Sequence, residues 1–206
     1  MITQGFADSE RLRSIIRNVM VFLVSVITHL AFASASHHNQ VDIVSSDQSS
    51  EVSQWQSWPK VGQARLSILF FDVYDSALYS PVNPVANWPK ITQQPTALTI
   101  TYLRDISAQD FVDATKEQWQ KLGFSQAQIT PWIAKLEDIF PDVIEGDSLT
   151  YVSQNRRGEF WFTSHASTNL IGEVEDSVLN AAFLAIWLSP STSYPKLRAQ
   201  LLGETQ

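Results

Sequence analysis

The stretch GQARLSILFFDVYDSALY, residues 62–79, predicts the fold of this chain more firmly than any other part of it. Apolar side chains recur along it at Leu66, Ile68 and Phe70, and its aromatic and β-branched residues favour extended backbone. We therefore expect a strand of about ten residues that begins near residue 64. The residues that lie beside this strand must then supply the function.

Length and composition favour one globular domain together with a targeting segment. The chain has 206 residues, of which 44% are hydrophobic and 17% are charged, which is enough apolar material for a single sizeable core. Its formal net charge is -7, and its longest basic run is the pair Arg156 and Arg157. An acidic chain repels phosphate backbones, so nucleic acids are not expected as partners.

The N-terminus has the pattern of a secretory signal peptide. Arg11, Arg13 and Arg17 precede the apolar run 19–33, and small residues follow that run. We predict a signal peptide over residues 1–35, cleaved near Ala35. The alternative is an uncleaved membrane anchor, although the apolar run is shorter than the roughly 20 residues that a bilayer span needs.

Cysteine is absent, and this absence bears on the compartment. A chain with no cysteine forms neither disulfides nor metal–thiolate sites, and its domain must be stabilised by its core. Together with the signal peptide, this predicts a periplasmic protein. Removal of residues 1–35 leaves 11 basic and 19 acidic residues, so we expect the mature chain not to be attracted to anionic membrane surfaces.

The rest of the chain divides into a leader and a domain. Residues 36–54 are polar and Ser-rich, which predicts a flexible leader. The adjacent His37 and His38 in that leader do not make a preformed metal site. The folded domain is expected over residues 55–206.

Strand and helix patterns alternate in groups through this domain, which predicts an α+β fold with an antiparallel sheet covered by helices on one face. Further strands are predicted over 97–102, 146–154, 159–164 and 170–174. Helices are predicted after the caps Ser107, Ser125 or Thr130, and Asp176, and over 195–202. Pro131 is expected at an early position of the second helix.

Four blocks in this order resemble the bacterial exported branch of the chalcone isomerase-like superfamily. They are residues 62–79, ALTITYLRDIS (97–107), the strand that begins at Gly146 and Asp147, and LNAAFLAIWLSPSTSYPKLRAQLLG (179–203). The resemblance covers residues 55–203. It implies an open-faced β-sandwich, in which a large antiparallel sheet carries a helical layer and a ligand cleft lies between the two.

The resemblance also implies two alternative activities. The plant enzymes cyclise a chalcone with the help of an Arg, a Tyr and a Thr, whereas other members bind fatty acids through an Arg and a Tyr. Here Leu69 stands at the position of the Thr, the segment 56–58 at that of the enzyme's Arg, and Leu66 near that of the fatty-acid Arg. The family Tyr falls at Leu103. Flavonoid cyclisation is therefore not expected, and no catalytic residue is predicted.

Four residues near these positions are the candidates for ligand binding: Arg65, Tyr74, Tyr102 and Arg104. Arg65 and Tyr102 each stand one residue from a family position, and neighbouring strand residues point to opposite faces, so Arg65 faces away from the cleft unless a bulge shifts it. Tyr74 either lines the cleft or packs at the sheet edge. Arg104 either meets an anionic ligand or has a structural role, as a salt bridge at the strand end or a contact at the entry to the helix.

These observations predict an exported protein that binds a small amphipathic ligand, such as a fatty acid, in the cleft between sheet and helices. One alternative is a non-catalytic envelope interaction or scaffold module whose cleft is filled by its own side chains. A second alternative is an isomerase or lyase of unknown substrate. The sequence predicts no cofactor, no metal and no particular protein partner, because the usual motifs for them are absent.

Overall fold

The computed structural model describes residues 54–68, 70–82, 87–165 and 167–204. The predicted signal peptide and all but the last residue of the predicted leader lie outside these ranges, and so does Leu69. The two boundaries predicted for those segments stay predictions.

Six antiparallel strands form one sheet in which every strand pairs with the next strand of the chain. The strands are β1 (Lys60–Ile68), β2 (Phe71–Tyr79), β3 (Thr96–Tyr102), β4 (Ser148–Gln154), β5 (Arg157–Ser164) and β6 (Ser167–Val174). Because all neighbours are antiparallel, short connections join β1 to β2, β4 to β5 and β5 to β6, whereas residues 80–95 separate β2 from β3 and two helices intervene between β3 and β4.

Within the described residues, four α-helices accompany the sheet. They are α1 (Ala108–Lys121), α2 (Gln126–Glu137), α3 (Ser177–Leu188) and α4 (Pro195–Leu201). Short 3-10 helices cover Trp55–Ser57 and Lys90–Gln93. An antiparallel sheet with segregated helices is an α+β fold, so the predicted fold class is confirmed.

The stretch 62–79 forms two strands rather than one. The prediction of a single strand is wrong, because the chain reverses between Ile68 and Phe71 and brings Leu66 opposite Tyr74. The turn carries none of the Gly, Asn, Asp or Pro residues that usually mark a hairpin, so the sequence pattern does not indicate it. A register shift at Leu66 and Ser67 adds a local irregularity to β1.

The helices cover one face of the sheet, where the main core lies. Leu78, Leu98 and Phe160 point from three strands into this core, and each is at most 1% exposed. Helix α3 is buried along nearly its whole length, as expected of a helix that is apolar all round. The indole of Trp119 in α1 donates a 2.8 Å hydrogen bond to the carbonyl of Ala182, which joins α1 to α3.

The other face of the sheet, here called the open face, carries no α-helix among the described residues. A small apolar cluster forms there around Ala97, Val152 and Trp161, with Trp55 and Trp58 packed against it. Much of the remaining surface is polar, since hydroxyl pairs link neighbouring strands across this face. These pairs are Thr99 with Thr150, Thr101 with Ser148, and Thr163 with Thr168.

The predicted helix caps are confirmed at three helices. Ser107 forms a capping box with the third helical residue of α1. Of the two alternatives for α2, Ser125 is the cap, and it forms a second capping box. The carboxylate of Asp176 accepts hydrogen bonds from the first turn of α3. Pro131 lies further inside α2 than the early position predicted for it.

Candidate functional site

Tyr74 and Tyr102 stand directly opposite each other on β2 and β3. Both point to the helix-covered face, because alternate residues of a strand face the same side and Leu78 and Leu98 share their parity. Their ring centroids are 6.4 Å apart in an edge arrangement. Tyr74 is 8% exposed and Tyr102 is 4% exposed, so two phenolic groups lie close together inside the protein.

The hydroxyl of Tyr74 is held by the helical layer. It accepts a 3.0 Å hydrogen bond from the indole Nε1 of Trp187, near the end of α3. Burial raises the pKa of Tyr74 well above its ordinary value, although the bond from Trp187 opposes part of that rise. Tyr74 is therefore neutral at physiological pH, and its own O–H remains able to donate.

The hydroxyl of Tyr102 differs because it makes no hydrogen bond to any other described residue. Burial raises the pKa of Tyr102 far above its ordinary value, and the neighbouring Tyr74 raises it further. A neutral phenol offers one donor and can accept as well. The Tyr102 side chain as a whole is 4% exposed, and its hydroxyl is not one of the fully buried polar atoms without a partner in the described ranges, which are Trp55 Nε1 and Thr96 Oγ1.

A third tyrosine, which the sequence analysis missed, belongs to the same group. Tyr194 precedes α4, and burial raises its pKa, while Lys121 lowers it and Glu117 raises it. Tyr194 in turn contributes to the raised pKa of Tyr74. Lys121 and Glu117 form an ion pair of 2.7 Å near the end of α1. The positive charge of Lys121 therefore lowers the pKa of Tyr194, the third phenol of this group. Tyr194 precedes a helix and shows no strand alternation, so no sequence pattern pointed to it.

Aromatic side chains fill the layer around these tyrosines. Successive ring centroids lie 4.9 to 5.6 Å apart along the series Tyr102, Phe111, Phe140, Phe160, Phe183 and Trp187. The indole of Trp187 donates a hydrogen bond to Tyr74, and the ring of Tyr74 contacts that of Tyr102. The aromatic contacts therefore form a closed loop. The phenolic hydroxyls consequently stand at the margin of an apolar, aromatic environment.

Arg65 lies on the open face, away from the tyrosines. It pairs in register with Asp75, and its guanidinium binds both carboxylate oxygens of Asp75, at 2.6 and 2.8 Å. A third bond of 2.9 Å reaches Asp72. The bond to Asp75 raises the pKa of Arg65, and the same bond lowers the pKa of Asp75. The adjacent Leu66 packs against the main core instead.

Arg104 lies at the same end of the sheet as the two tyrosines. It follows Tyr102 by two residues, in the connection to α1, and is partly exposed. The neighbouring Leu103 donates its N–H to the carbonyl of Val73 at 3.0 Å, which holds this connection beside β2. Arg104 forms no ion pair with another described residue, so the predicted alternative of a strand-end salt bridge finds no partner there.

The four predicted ligand residues are thus divided by the structure. Tyr74 and Tyr102 come together on the helix-covered face, and Arg104 stands at their end of the sheet. Arg65 lies on the open face with its carboxylate partners. A role for these residues in binding a ligand stays a prediction.

Comparison with known proteins identifies the family. Residues 62–203 match the sequence model of the family described as chalcone isomerase-like. The chain belongs to the chalcone isomerase-like family. The family predicted from the sequence blocks is therefore confirmed, together with the sheet and helical layer that the resemblance implied.

Two known proteins are similar to this chalcone isomerase-like protein. It is 26% identical to an uncharacterized protein of Haemophilus influenzae over 149 residues, which cover 72% of this chain and 70% of that protein. It is also similar to the crystal structure of a fatty-acid binding protein of Arabidopsis thaliana, with a TM-score of 0.52 and 13% identity. That similarity covers 72% of this chain and 88% of the plant chain, and it shows a shared fold.

The open face of this family member carries a groove that the sequence did not predict. Its volume is about 440 Å³, and its lining includes Gln63, Arg65, Asp75, Tyr79 and Thr99. This lining is mainly polar, and its charged members already bind each other.

Two features are absent from the described ranges, a metal-binding cluster and a membrane-spanning helix. No group of three or more His, Asp or Glu residues is placed there to hold a metal ion. No helix in that part of the chain is long and apolar enough to cross a membrane.

Proposed function

We propose that this chalcone isomerase-like protein binds a small amphipathic molecule, such as a fatty acid, between its sheet and its helices. The observation that carries this proposal is the pair of buried tyrosines Tyr74 and Tyr102, of which Tyr102 makes no hydrogen bond to another described residue. An aromatic layer surrounds both. The fatty-acid binding protein of Arabidopsis thaliana, which shares the fold, supports the same class of ligand.

The chemistry of the site fits a carboxylic head group. Neutral phenols donate hydrogen bonds to a carboxylate, and bonds to a charged acceptor are stronger than bonds between neutral groups. A buried carboxylate also needs a positive charge nearby. Lys121 is close enough to Tyr194 to lower its pKa, and Arg104 stands at the same end of the sheet as Tyr74 and Tyr102. The hydrocarbon tail then packs among the aromatic rings.

The test is a binding titration of delipidated protein with palmitic acid, followed by calorimetry and by tryptophan fluorescence. We expect Tyr102→Phe to weaken binding about 10- to 100-fold, because a hydrogen bond to a charged acceptor contributes about 1.5 to 3 kcal/mol. Tyr79→Phe is the matched control, since it removes a phenol from the open face.

Two outcomes would overturn the proposal. One is a wild-type protein that binds no palmitic acid and carries no lipid in native mass spectrometry. The other is a Tyr79→Phe variant that loses binding while Tyr102→Phe keeps it, which would move the ligand to the open face.

A second candidate function is a non-catalytic interaction module with a filled cleft. The closed series of ring contacts favours it, because close-packed aromatic side chains leave a ligand little room unless they move. Lipid extraction that recovers nothing, together with an envelope protein that copurifies in fixed proportion, would favour this candidate over the first. An isomerase or lyase remains the third candidate, and turnover of a substrate is the observation that it requires.

We further propose that the protein is exported to the periplasm after cleavage near Ala35. The basic residues, apolar run and small residues at the N-terminus support this proposal. N-terminal sequencing of the protein recovered from the periplasmic fraction is expected to begin at Ser36. Recovery of the uncleaved chain in the membrane fraction would contradict the proposal and indicate an anchor.

A further inference from the structure

The turn between β1 and β2 exposes two aromatic side chains. Phe70 is 97% exposed and Phe71 is 58% exposed. Large apolar side chains are normally buried, and an exposed cluster of them marks a contact with something outside the molecule. Phe70 has almost no intramolecular contact, so packing within the described part of the protein does not explain its position.

The same end of the sheet carries a third exposed apolar side chain. Ile144, in the connection that precedes β4, is 51% exposed. This connection meets the end of β3, because the N–H of Gly146 donates to the carbonyl of Tyr102. The other exposed large apolar residues of the described ranges lie elsewhere: Val82, Leu170 and Val178. Half of the exposed large apolar residues therefore gather at one end.

We propose that this end of the protein touches the surface of a lipid bilayer, with Phe70 and Phe71 inserted into the interface between head groups and acyl chains. An aromatic side chain offers about 150 to 250 Å² of surface. Two such side chains fall well short of the roughly 1,000 Å² that a stable protein interface buries. A narrow hairpin tip, however, suits an insertion of about 5 to 10 Å into the interfacial region.

The charges at this end argue against electrostatic adsorption to anionic lipids. Asp72 follows the two phenylalanines and is paired with Arg65, whereas Asp105 and Glu145 stand on the neighbouring connections, where the N–H of Glu145 donates to the carboxylate of Asp105. Arg104 is the other cation nearby, and the whole chain carries -7. Insertion is therefore driven by apolar burial, and an uncharged or zwitterionic bilayer is the preferred surface.

The hairpin tip also lies close to the site proposed for the ligand. Phe71 precedes Tyr74 by three residues on β2, which is about 10 Å along a strand. A fatty acid that leaves a bilayer at the tip would therefore travel only a short distance to the tyrosines. This link to the ligand rests on the proposed function, whereas bilayer contact itself does not.

The experiment is flotation of the mature protein with phosphatidylcholine vesicles, without added fatty acid. We expect the wild-type protein to float with the vesicles and the double variant Phe70→Ser, Phe71→Ser to lose at least tenfold in partitioning. Val82→Ser with Val178→Ser is the matched control, because it changes two exposed apolar residues away from the hairpin. Thermal unfolding of both variants is expected to match the wild type, since the changed side chains are exposed.

Salt and lipid composition complete the test. Partitioning is expected to stay constant between about 0.1 M and about 1 M salt, over which the Debye length falls from about 10 to about 3 Å. Binding that vanishes in high salt, or equal flotation of the hairpin variant and the wild type, would overturn the inference. So would a hairpin that joins two copies in sedimentation equilibrium without binding vesicles. Vesicle binding without palmitic acid binding would overturn the proposed function alone.

Discussion

Tyr74 and Tyr102 occupy matching positions on neighbouring strands, but only the hydroxyl of Tyr74 has a partner in the described structure. This difference predicts that the same substitution changes stability by different amounts at the two positions. Tyr74→Phe leaves the indole N–H of Trp187 unpaired inside the core, which costs about 1 to 3 kcal/mol. Tyr102→Phe breaks no hydrogen bond between described residues, so the free energy of unfolding should fall by less than about 0.5 kcal/mol or rise slightly.

Urea unfolding of both variants at neutral pH checks this prediction. Equal destabilisation by the two substitutions would mean that Tyr102 has a structural partner after all. A stable Tyr102→Phe variant is also what the ligand titration requires, because any loss of binding can then be assigned to the hydroxyl.

Single residues also show where sequence reasoning reached and where it stopped. Strand alternation indicated that Arg65 faces away from the cleft, and the structure places it on the open face. The pairing of Arg65 with Asp75 could not be predicted, because it depends on a hairpin whose turn has no sequence signal. Tyr194 could not be predicted, because its influence on the pKa of Tyr74 depends on tertiary packing and not on a local sequence pattern.

At the scale of elements, the docking of α4 on β1 depends on the absence of a side chain at one position. A Cβ atom built on Gly62 would overlap the backbone carbonyl oxygens of Gln200 and Leu201. Because backbone atoms cannot move aside as a flexible side chain does, Gly62→Ala is expected to destabilise the protein by about 1 to 3 kcal/mol or more. Gln63→Ala, next to it on the exposed side of β1, is the control.

Thermal unfolding of the two variants measures this effect. Hydrogen exchange should also show faster exchange in α4 for Gly62→Ala alone. Wild-type stability of that variant would indicate that α4 does not need its close approach to β1.

The helices were easier to predict than the hairpins because their end signals are local. Ser107 and Asp176 each indicate a helix start through the few residues that follow them, and the structure confirms both as helix caps. The first hairpin turns instead on apolar residues around Phe70, where no turn residue marks the reversal. Its formation depends on the pairing of β1 with β2, which is a property of two segments rather than of one.

The whole molecule should be sensitive to alkaline pH because several of its tyrosines are buried. Burial raises the pKa values of Tyr74, Tyr102 and Tyr151 above the value of about 10 expected in an unfolded chain. The stabilisation that comes from keeping these phenols neutral is complete below about pH 10 and is lost as the pH rises further towards the folded-state pKa values. Each tyrosine then lowers the free energy of unfolding by up to about 1.4 kcal/mol per pH unit.

Urea unfolding midpoints measured from about pH 8 to about pH 11 would record this loss. We expect a plateau up to about pH 9.5 and a steep fall above it. A constant midpoint across the whole range would mean that these phenols reach solvent without unfolding.

Over the whole chain, the family and the fold class could be predicted because they rest on the order of several long blocks. The arrangement of the site could not, since the parity of each strand had to be known before any side chain could be assigned to a face. Tyr74 and Tyr102 were predicted as separate candidates, and only the pairing of β2 with β3 places them side by side.

The contact between β1 and α4 has a consequence for biosynthesis. Each strand of this sheet pairs with the next one made, so the sheet can assemble as the chain emerges from the ribosome or from a translocation pore. The helix that covers β1, however, lies at residues 195–201, far along the chain from β1 and after every other strand of the sheet. The helix-facing side of the first strand therefore remains uncovered until residues 195–201 have been made, and a chaperone that shields apolar surface would act during that interval.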